Sequence, residues 1–198
     1  PSRSSPGIWT GSRRSIRLSC AYTSTVRHFR APQGDQSNYK KFGEEPPDHA
    51  IGRSRGGLTT KNHLVCDGKG RALAFILTPG QAADTSMLSA TLSEIRVPGA
   101  RGRPRSRPDR VLADKGYPSK ANRAWLRQRG IAATIPERDD QIARRRKRRG
   151  RPIDFGEQQR DRYRDRNVVE RCFNKLKQWR GIAMRSDKTA RNYHAGLC

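Results

Sequence analysis

The stretch "RPDRVLADKGYPSKANRAWLRQRGIAATIPE", residues 107–137, decides the fold. The residues "VLAD" (111–114) are typical of a short buried strand that ends on Asp114. The residues "KANRAWLRQRG" predict a helix that Ser119 can cap. The residues "IAATIPE" (131–137) then predict a second strand. A strand, a helix and a strand in this order indicate a layered α/β domain.

The residues before this stretch predict a hairpin and a helix. The segments "NHLVCD" (62–67) and "RALAFILTPG" (71–80) predict two strands, and the turn signal "DGKG" joins them into the hairpin. The preceding "GRSRGGLTTK" (52–61) predicts a glycine-rich basic turn. After the hairpin, "TSMLSATLSEI" predicts a short amphipathic helix capped by Asp84 or Thr85. Alternating strands and helices indicate a mixed sheet flanked by helices.

The charge of the chain indicates a polyanionic partner. The 198 residues include 43 Lys and Arg but only 18 Asp and Glu, which gives a formal net charge of +25. Nucleic acid is the expected partner, because neutralising its phosphates releases condensed counterions. An anionic membrane surface is the alternative, although no apolar run approaches the roughly 20 residues of a membrane span.

Two basic segments interrupt the predicted elements. The segment "RVPGARGRPRSRPDR" (96–110) predicts a loop rich in Pro and Gly. The segment "ARRRKRRGRP" (143–152) predicts a solvated loop whose arginines touch DNA phosphates without reading the sequence. The candidate DNA-binding residues there are Arg144, Arg145 and Arg146.

The cysteines predict neither a disulfide framework nor a zinc site. None of the four forms a C-x-x-C pair, and the four histidines are also scattered. We interpret them as reduced thiols of a cytosolic protein. They are Cys20, Cys66, Cys172 and Cys198.

Residues 155–180 predict one long helix with an unusual polar edge. At about 100° per residue, four polar side chains share an arc of roughly 60°. They are Tyr163, Arg166, Glu170 and Lys177. The neighbouring arc is apolar and predicts the buried face, with Val168, Val169, Cys172, Phe173, Leu176 and Trp179. A surface row of salt bridges is one interpretation of the polar edge, since Arg166 and Glu170 form an i,i+4 pair.

The polar edge also resembles a known signature. The spacing Tyr163-x2-Arg166-x3-Glu170-x6-Lys177 is similar to the region around the last catalytic acid of bacterial DDE transposases. The likeness is to the insertion-sequence-five group, within the wider insertion-sequence-four-like transposases. It covers residues 44 to 197 through "GEEPPDHAIGRSRGGLTTKNHLVCDGKG", "RPDRVLADKGY" and "RNVVERCFNKLKQWRG". The resemblance implies an RNase H-like catalytic domain over residues 44–198.

The resemblance also implies a catalytic site. In this family three acids hold two divalent ions, Mg²⁺ or Mn²⁺, beside the scissile phosphate. Asp114 matches the second acid and Glu170 the third, so both are candidate catalytic and metal-binding residues. Tyr163, Arg166 and Lys177 would then position the DNA backbone or Glu170 itself. The alternative for Asp114 is a polar residue that opens a turn before Gly116.

A biological role follows from the same resemblance. It implies transposition of an insertion sequence, by cleavage and transfer of DNA strands. The expected partner is double-stranded DNA, both transposon ends and target, bound by a homodimer. The expected location is the bacterial cytoplasm, at the nucleoid and not at a membrane.

The first acid of the family has no counterpart here. The comparable stretch is "TSTVRHFR" (23–30), and Thr23 stands where the family has Asp. We assign the role to none of the other early acids, Asp35, Asp48 and Asp67. We expect residues 1–43 to be irregular or eroded, with the first strand at about 18–29, and the C-terminus to be truncated. The chain would then be a catalytically impaired fragment.

Two other functions compete with this interpretation. A basic nucleic-acid-binding protein without enzymatic activity would share the charge, but it would give Asp114 and Glu170 no reason to converge. A ribosomal-type structural protein would not predict the Tyr–Arg–Glu–Lys edge. A divalent-metal titration distinguishes the first of these from a transposase.

Overall fold

A computed structural model describes residues 50–54, 57–99, 101–147, 149, 155–187 and 189–198. The expected strand at about 18–29, together with Thr23, lies outside the described residues. Cys20, Asp35 and Asp48 also lie outside them.

The described residues form a mixed α/β structure. The strands are β1 (Gly52–Ser54), β2 (Gly57–Cys66), β3 (Ala72–Pro79), β4 (Arg110–Leu112) and β5 (Ala132–Thr134). A 3₁₀ turn (Asp84–Met87) leads into α1 (Leu88–Ser93), and α2 (Lys120–Gln128) lies between β4 and β5. The remaining helices are α3 (Asp139–Arg146), α4 (Glu157–Arg164), α5 (Asn167–Lys177), α6 (Arg180–Met184) and α7 (Ala190–Leu197).

The predicted hairpin is confirmed. Strands β2 and β3 pair in antiparallel register, with His63 opposite Ile76. The predicted turn at 52–61 is wrong for residues 52–54 and 57–61, because β1 and the first residues of β2 form a second antiparallel pair there. Gly57 begins β2 with a φ of 106°, a conformation that favours glycine. The structure therefore has a three-stranded antiparallel sheet with β2 in the middle.

The strand–helix–strand unit is also confirmed. Strands β4 and β5 are parallel, and Val111 lies opposite Ala133. The Ser119 hydroxyl accepts a 3.0 Å hydrogen bond from the backbone N–H of Asn122, as an N-cap should. Gly130 follows α2 with a φ of 64°, which glycine adopts without a steric penalty.

Apolar residues form two clusters on opposite faces of the β2–β3 hairpin. Val65 and Ala74 face a cluster that includes Leu92, Val111 and Leu126, from α1, β4 and α2. Side chains on the other face pack against α5 and α7. They include Leu64, Cys66 and Phe75, with Val169, Phe173, Tyr193 and Leu197 from the helices. The hairpin therefore lies between two apolar clusters and is covered on both faces, which explains its nearly continuous apolar sequence.

The predicted long C-terminal helix is wrong, because the chain breaks into α4 and α5. The break is small, since Arg166 N–H bonds the Tyr163 carbonyl and Val169 N–H bonds the Arg166 carbonyl in tighter three-residue turns. Trp179 is 72% exposed and not buried, because α5 has already ended at Lys177. The rest of the predicted apolar face lies in the core or against it.

Two other local predictions are corrected. Neither Asp84 nor Thr85 caps α1, whose N-cap has no side-chain bond. The Asp84 carboxylate instead accepts a 3.0 Å hydrogen bond from Lys61 Nζ. The predicted loop at 143–152 begins as helix, since α3 continues to Arg146.

Two further features concern helix hydropathy and thiols. In the described part of the chain, no helix combines the length and the apolar character needed to cross a bilayer. Cys66, Cys172 and Cys198 form no disulfide with one another in the described part of the chain.

Candidate catalytic site

Asp114 lies just beyond the C-terminal end of β4. The backbone N–H of Ala113 still bonds the Thr134 carbonyl of β5, so strand pairing holds the chain up to this point. Asp114 then opens a turn, in which its carbonyl accepts from Tyr117 N–H at 3.0 Å. Asp114 therefore does open a turn, as the alternative interpretation predicts, but its side chain is 34% exposed and faces other polar groups.

Glu170 lies in the first turn of α5, with its side chain 40% exposed. The buried residues of this helix are Val168, Val169, Cys172 and Phe173, and they hold it against the hairpin. Glu170 is thus directed away from the apolar cluster by the same periodicity that buries its neighbours.

The Arg166 guanidinium joins the two acids. Its Nη2 donates a 2.8 Å hydrogen bond to Glu170 Oε1. Its Nη1 lies 3.9 Å from Asp114 Oδ2, within ion-pair distance. Two carboxylates from distant parts of the sequence therefore contact one cation. The i,i+4 salt bridge between Arg166 and Glu170 exists, but it belongs to a larger cluster.

Tyr163 completes this cluster. Its hydroxyl donates a 3.2 Å hydrogen bond to Asp114 Oδ1. The Arg166 guanidinium carbon lies 5.5 Å from the centre of the Tyr163 ring, at cation–π distance. Burial, and then the negative charge of Asp114, raise the pKa of Tyr163 to about 12. The hydroxyl group consequently stays protonated and donating at any physiological pH.

The other predicted site residues lie outside this cluster. Lys177 is the last residue of α5, about 10 Å along the helix axis from Glu170 at 1.5 Å per residue. Arg144, Arg145 and Arg146 form the last turn of α3. Arg145 forms an ion pair with Glu137, whereas Arg144 and Arg146 are exposed.

The Asp67 carboxylate stabilises the hairpin turn between β2 and β3. Its carboxylate accepts hydrogen bonds from the backbone N–H groups of Lys69 and Arg71, each at 2.9 Å. It also accepts a 2.7 Å bond from Arg71 Nε. Burial alone would raise the pKa of Asp67, but these bonds outweigh it and lower that pKa below its usual value. The carboxylate is therefore committed to closing the turn.

Three residues that position Tyr163 and its helix were missed in the sequence, namely Thr134, Gln159 and Phe155. Thr134 at the end of β5 donates a 2.8 Å hydrogen bond to Gln159 Oε1 on α4. Phe155 contacts the Tyr163 ring edge-on, with 6.0 Å between ring centres. These contacts fix α4 beside the parallel strands. The only signal of these contacts in the sequence is Gln159, because a residue four positions before Tyr163 lies on the same helix face.

Comparison with known proteins identifies the family. The sequence profile of a family described as "Transposase DDE domain" matches residues 24–196, which is most of the chain. The chain belongs to this family. The match of this transposase domain begins upstream of the boundary expected at residue 44, immediately after Thr23.

Two relatives of this transposase domain support the assignment. One, from Burkholderia cepacia, is named "Putative transposase for insertion sequence element IS402" and is 40% identical over 99 residues. That match covers 50% of this chain and 44% of the relative, so the chain spans less than half of the relative's length.

The second relative comes from Brucella ovis and is named "Putative transposase for insertion sequence element IS6501". It is 33% identical over 133 residues, which cover 67% of this chain and 86% of the relative. No solved structure matches the transposase domain.

Proposed function

We propose that this chain acts in the transposition of an insertion sequence, by cutting and joining DNA strands at Asp114 and Glu170. The observation that carries the proposal is the contact of both carboxylates with the Arg166 guanidinium. Two acids placed only for solubility would have no reason to converge from a strand end and a separate helix. The family membership supplies the reaction class.

We also propose an RNase H-like fold for the complete domain. An antiparallel three-stranded sheet, two parallel strands and flanking helices support it. Membership of the insertion-sequence-five group, a homodimer on DNA and association with the nucleoid remain predictions.

Divalent metal ions are used by this family, and the residues present suit them. Carboxylate oxygens are the ligands that Mg²⁺ and Mn²⁺ prefer, and both side chains are partly open to solvent. Asp114 and Glu170 would hold the ion. When bound, a divalent ion polarises a phosphoryl oxygen and activates a nucleophile. Among the described residues, no group of three or more His, Cys, Asp or Glu could hold a metal.

The neighbouring side chains have supporting roles in this proposal. The protonated Tyr163 hydroxyl holds Asp114 in one orientation, which reduces the freedom lost when a ligand binds. Arg166 offsets part of the negative charge of the two carboxylates while no metal is bound. Its planar guanidinium is also suited to bidentate contact with a phosphate. We place Lys177, Arg144 and Arg146 along the path of the DNA backbone.

We propose further that catalysis is impaired. Thr23 carries no charge where the family has its first metal-binding Asp, and two acids hold a pair of divalent ions poorly. The chain should therefore bind DNA and cleave it weakly. The substitution Thr23→Asp should increase cleavage.

The test is Mg²⁺- or Mn²⁺-dependent nicking of a duplex that carries the ends of the element. We expect weak nicking by the wild type, more by Thr23→Asp, and none when Glu170→Gln or Asp114→Asn is added to either protein. Nicking that survives Glu170→Gln would refute the proposed site. If neither parent protein nicks DNA but both bind it, the alternative of a non-enzymatic nucleic-acid-binding protein is favoured.

A further inference from the structure

A groove lined by arginines lies apart from the acid cluster, which consists of Asp114, Tyr163, Arg166 and Glu170. It has a volume of about 1020 Å³ and is formed by the end of α1, the loop before β4 and the end of α2. Neither Asp nor Glu lines it in the described part of the chain. Its cationic residues are Arg96, Arg103, Arg107, Arg127 and Arg129.

The arginines of this groove differ from several other arginines of the chain, which are paired with acids. Arg71 is paired with Asp67, Arg105 with Asp109, and Arg145 with Glu137. The five groove arginines are exposed and have no ion pair within the described residues. Five like charges around one concave surface repel one another, and an anionic occupant would offset that repulsion.

Specific contacts hold the walls of the groove in place. The loop is closed by backbone hydrogen bonds between Val97 and Arg105, at 2.9 and 2.8 Å. Arg107 Nη1 donates a 3.3 Å bond to the Arg129 carbonyl, which joins the loop to the end of α2. The Arg129 guanidinium lies 4.3 Å above the Trp125 ring. The cationic surface is therefore organised before any ligand arrives.

The groove lies at the opposite end of β4 from the acid cluster. Pro108 of the groove precedes β4, whereas Asp114 follows it. Gly130 and Ile131 of the groove likewise precede β5, which runs parallel to β4. The six Cα–Cα steps from Pro108 to Asp114 span at most about 20 Å.

We propose that the groove binds the phosphate backbone of a DNA segment other than the one held at Asp114 and Glu170. The proposal rests on the proposed function only in taking DNA as the ligand. Arginine forks match phosphate oxygens, and the cavity offers no carboxylate to reject a polyanion. Because phosphates carry no sequence information, the groove holds DNA of any sequence.

The experiment measures affinity for short duplexes over a range of salt concentrations, with EDTA present so that no cleavage occurs. The test protein carries Arg103→Gln, Arg127→Gln and Arg129→Gln. We expect the slope of log affinity against log salt to fall by about three units, one for each lost phosphate contact. With duplex in excess, sedimentation should show that the triple variant binds one fewer duplex per chain than the wild type does.

The matched control removes three exposed positive charges elsewhere, with Lys69→Gln, Lys175→Gln and Arg191→Gln. It should change the slope by about one unit or less. A second variant carries Arg103→Gln and Arg127→Gln, which remove no hydrogen bond or ion pair of the described residues. Its slope of log affinity against log salt should fall by about two units, and misfolding would not explain that fall.

The possible failures are distinguishable. If the wild type binds DNA and the triple variant behaves like the control, the groove proposal is overturned while the proposed function stands. A lower slope with unchanged stoichiometry would put the groove and the acid pair on one duplex, and would overturn the separate segment. If the wild type binds no DNA, the proposed function itself fails.

Discussion

The hydroxyl group of Tyr163 donates a 3.2 Å hydrogen bond to the carboxylate of Asp114, which lies 49 residues earlier in the chain. The bond joins α4 to the end of β4 and places the polar edge of α4 and α5 against the strand-end acid. Each residue alone has an ordinary surface interpretation. The contact between them brings the two side chains into one polar cluster.

This contact predicts a pH dependence of stability. The folded pKa of Tyr163 is raised to about 12 from an ordinary value of 10.0, mainly by burial and then by Asp114. The unfolded state therefore loses its proton first, and the stabilisation is complete below pH 10 and lost as the pH rises towards 12. In Tyr163→Phe, the free energy of unfolding should fall less steeply over that range. Equal slopes in urea titrations of the two proteins would contradict this.

Arg166 should compete with metal ions for the two acids. Replacing it with Gln leaves the Asp114 and Glu170 carboxylates without this cation, so Mn²⁺ should bind about two- to fivefold more tightly, as expected for a partly exposed ion pair. Titration calorimetry or the electron spin resonance of Mn²⁺ measures this directly. Arg171→Gln is the control, because it removes one exposed charge from the same helix. Weaker binding to the Arg166 variant would show that Arg166 supports the metal site.

Asp67 should contribute to stability and not to metal binding. Asp67→Asn keeps the shape of the side chain but loses the charged contact with Arg71, which should cost about 2 kcal/mol of folding free energy. Because the folded pKa of Asp67 is lowered, its stabilisation is present above the ordinary value of 3.8 and is lost as the pH falls through the folded pKa. Chemical denaturation between pH 2 and pH 6 would follow this loss, about 2 units to either side of that value.

The same variant tests the metal assignment. Any metal-dependent nicking by the wild type should survive Asp67→Asn but disappear in Glu170→Gln. Loss of nicking by a fully folded Asp67→Asn protein would make Asp67 the substitute for the absent first acid.

The arginines at the end of α3 should divide into two classes. Arg144 and Arg146 are exposed, so Gln at either position should reduce the salt dependence of DNA binding by about one slope unit. Arg145 is paired with Glu137, whose side chain is only 10% exposed, so Arg145→Gln should mainly lower the melting temperature. Thermal unfolding and salt titrations of the three single variants separate these effects. If the slope is unchanged in both the Arg144 and the Arg146 variant, α3 does not belong to the DNA interface.

Local signals in the sequence were enough for the hairpin and for the strand–helix–strand unit. The turn after Cys66, the Ser119 cap and Gly130 act over a few residues, and the structure places each as expected. The polar and apolar arcs of α5 were also readable, because helical periodicity persists through the tight turns at Arg166.

Tertiary contacts decided the rest. Whether residues 155–180 form one helix or two depends on packing, since α4 is held by Thr134 and α5 by the β2–β3 hairpin. The predicted burial of Trp179 is wrong because no local pattern shows where packing stops supporting a helix.

The sequence by itself determined the basic charge and indicated the β2–β3 hairpin and the strand–helix–strand unit, and it predicted Asp114 and Glu170 as site residues. Only the tertiary structure decided that Arg166 contacts both of them, and that Asp67 is engaged in a turn. The physical reason is the distance along the chain over which each kind of interaction acts. Turn, cap and periodicity preferences act within about one or two helical turns, whereas the acid cluster depends on how separate helices pack against the ends of β4 and β5.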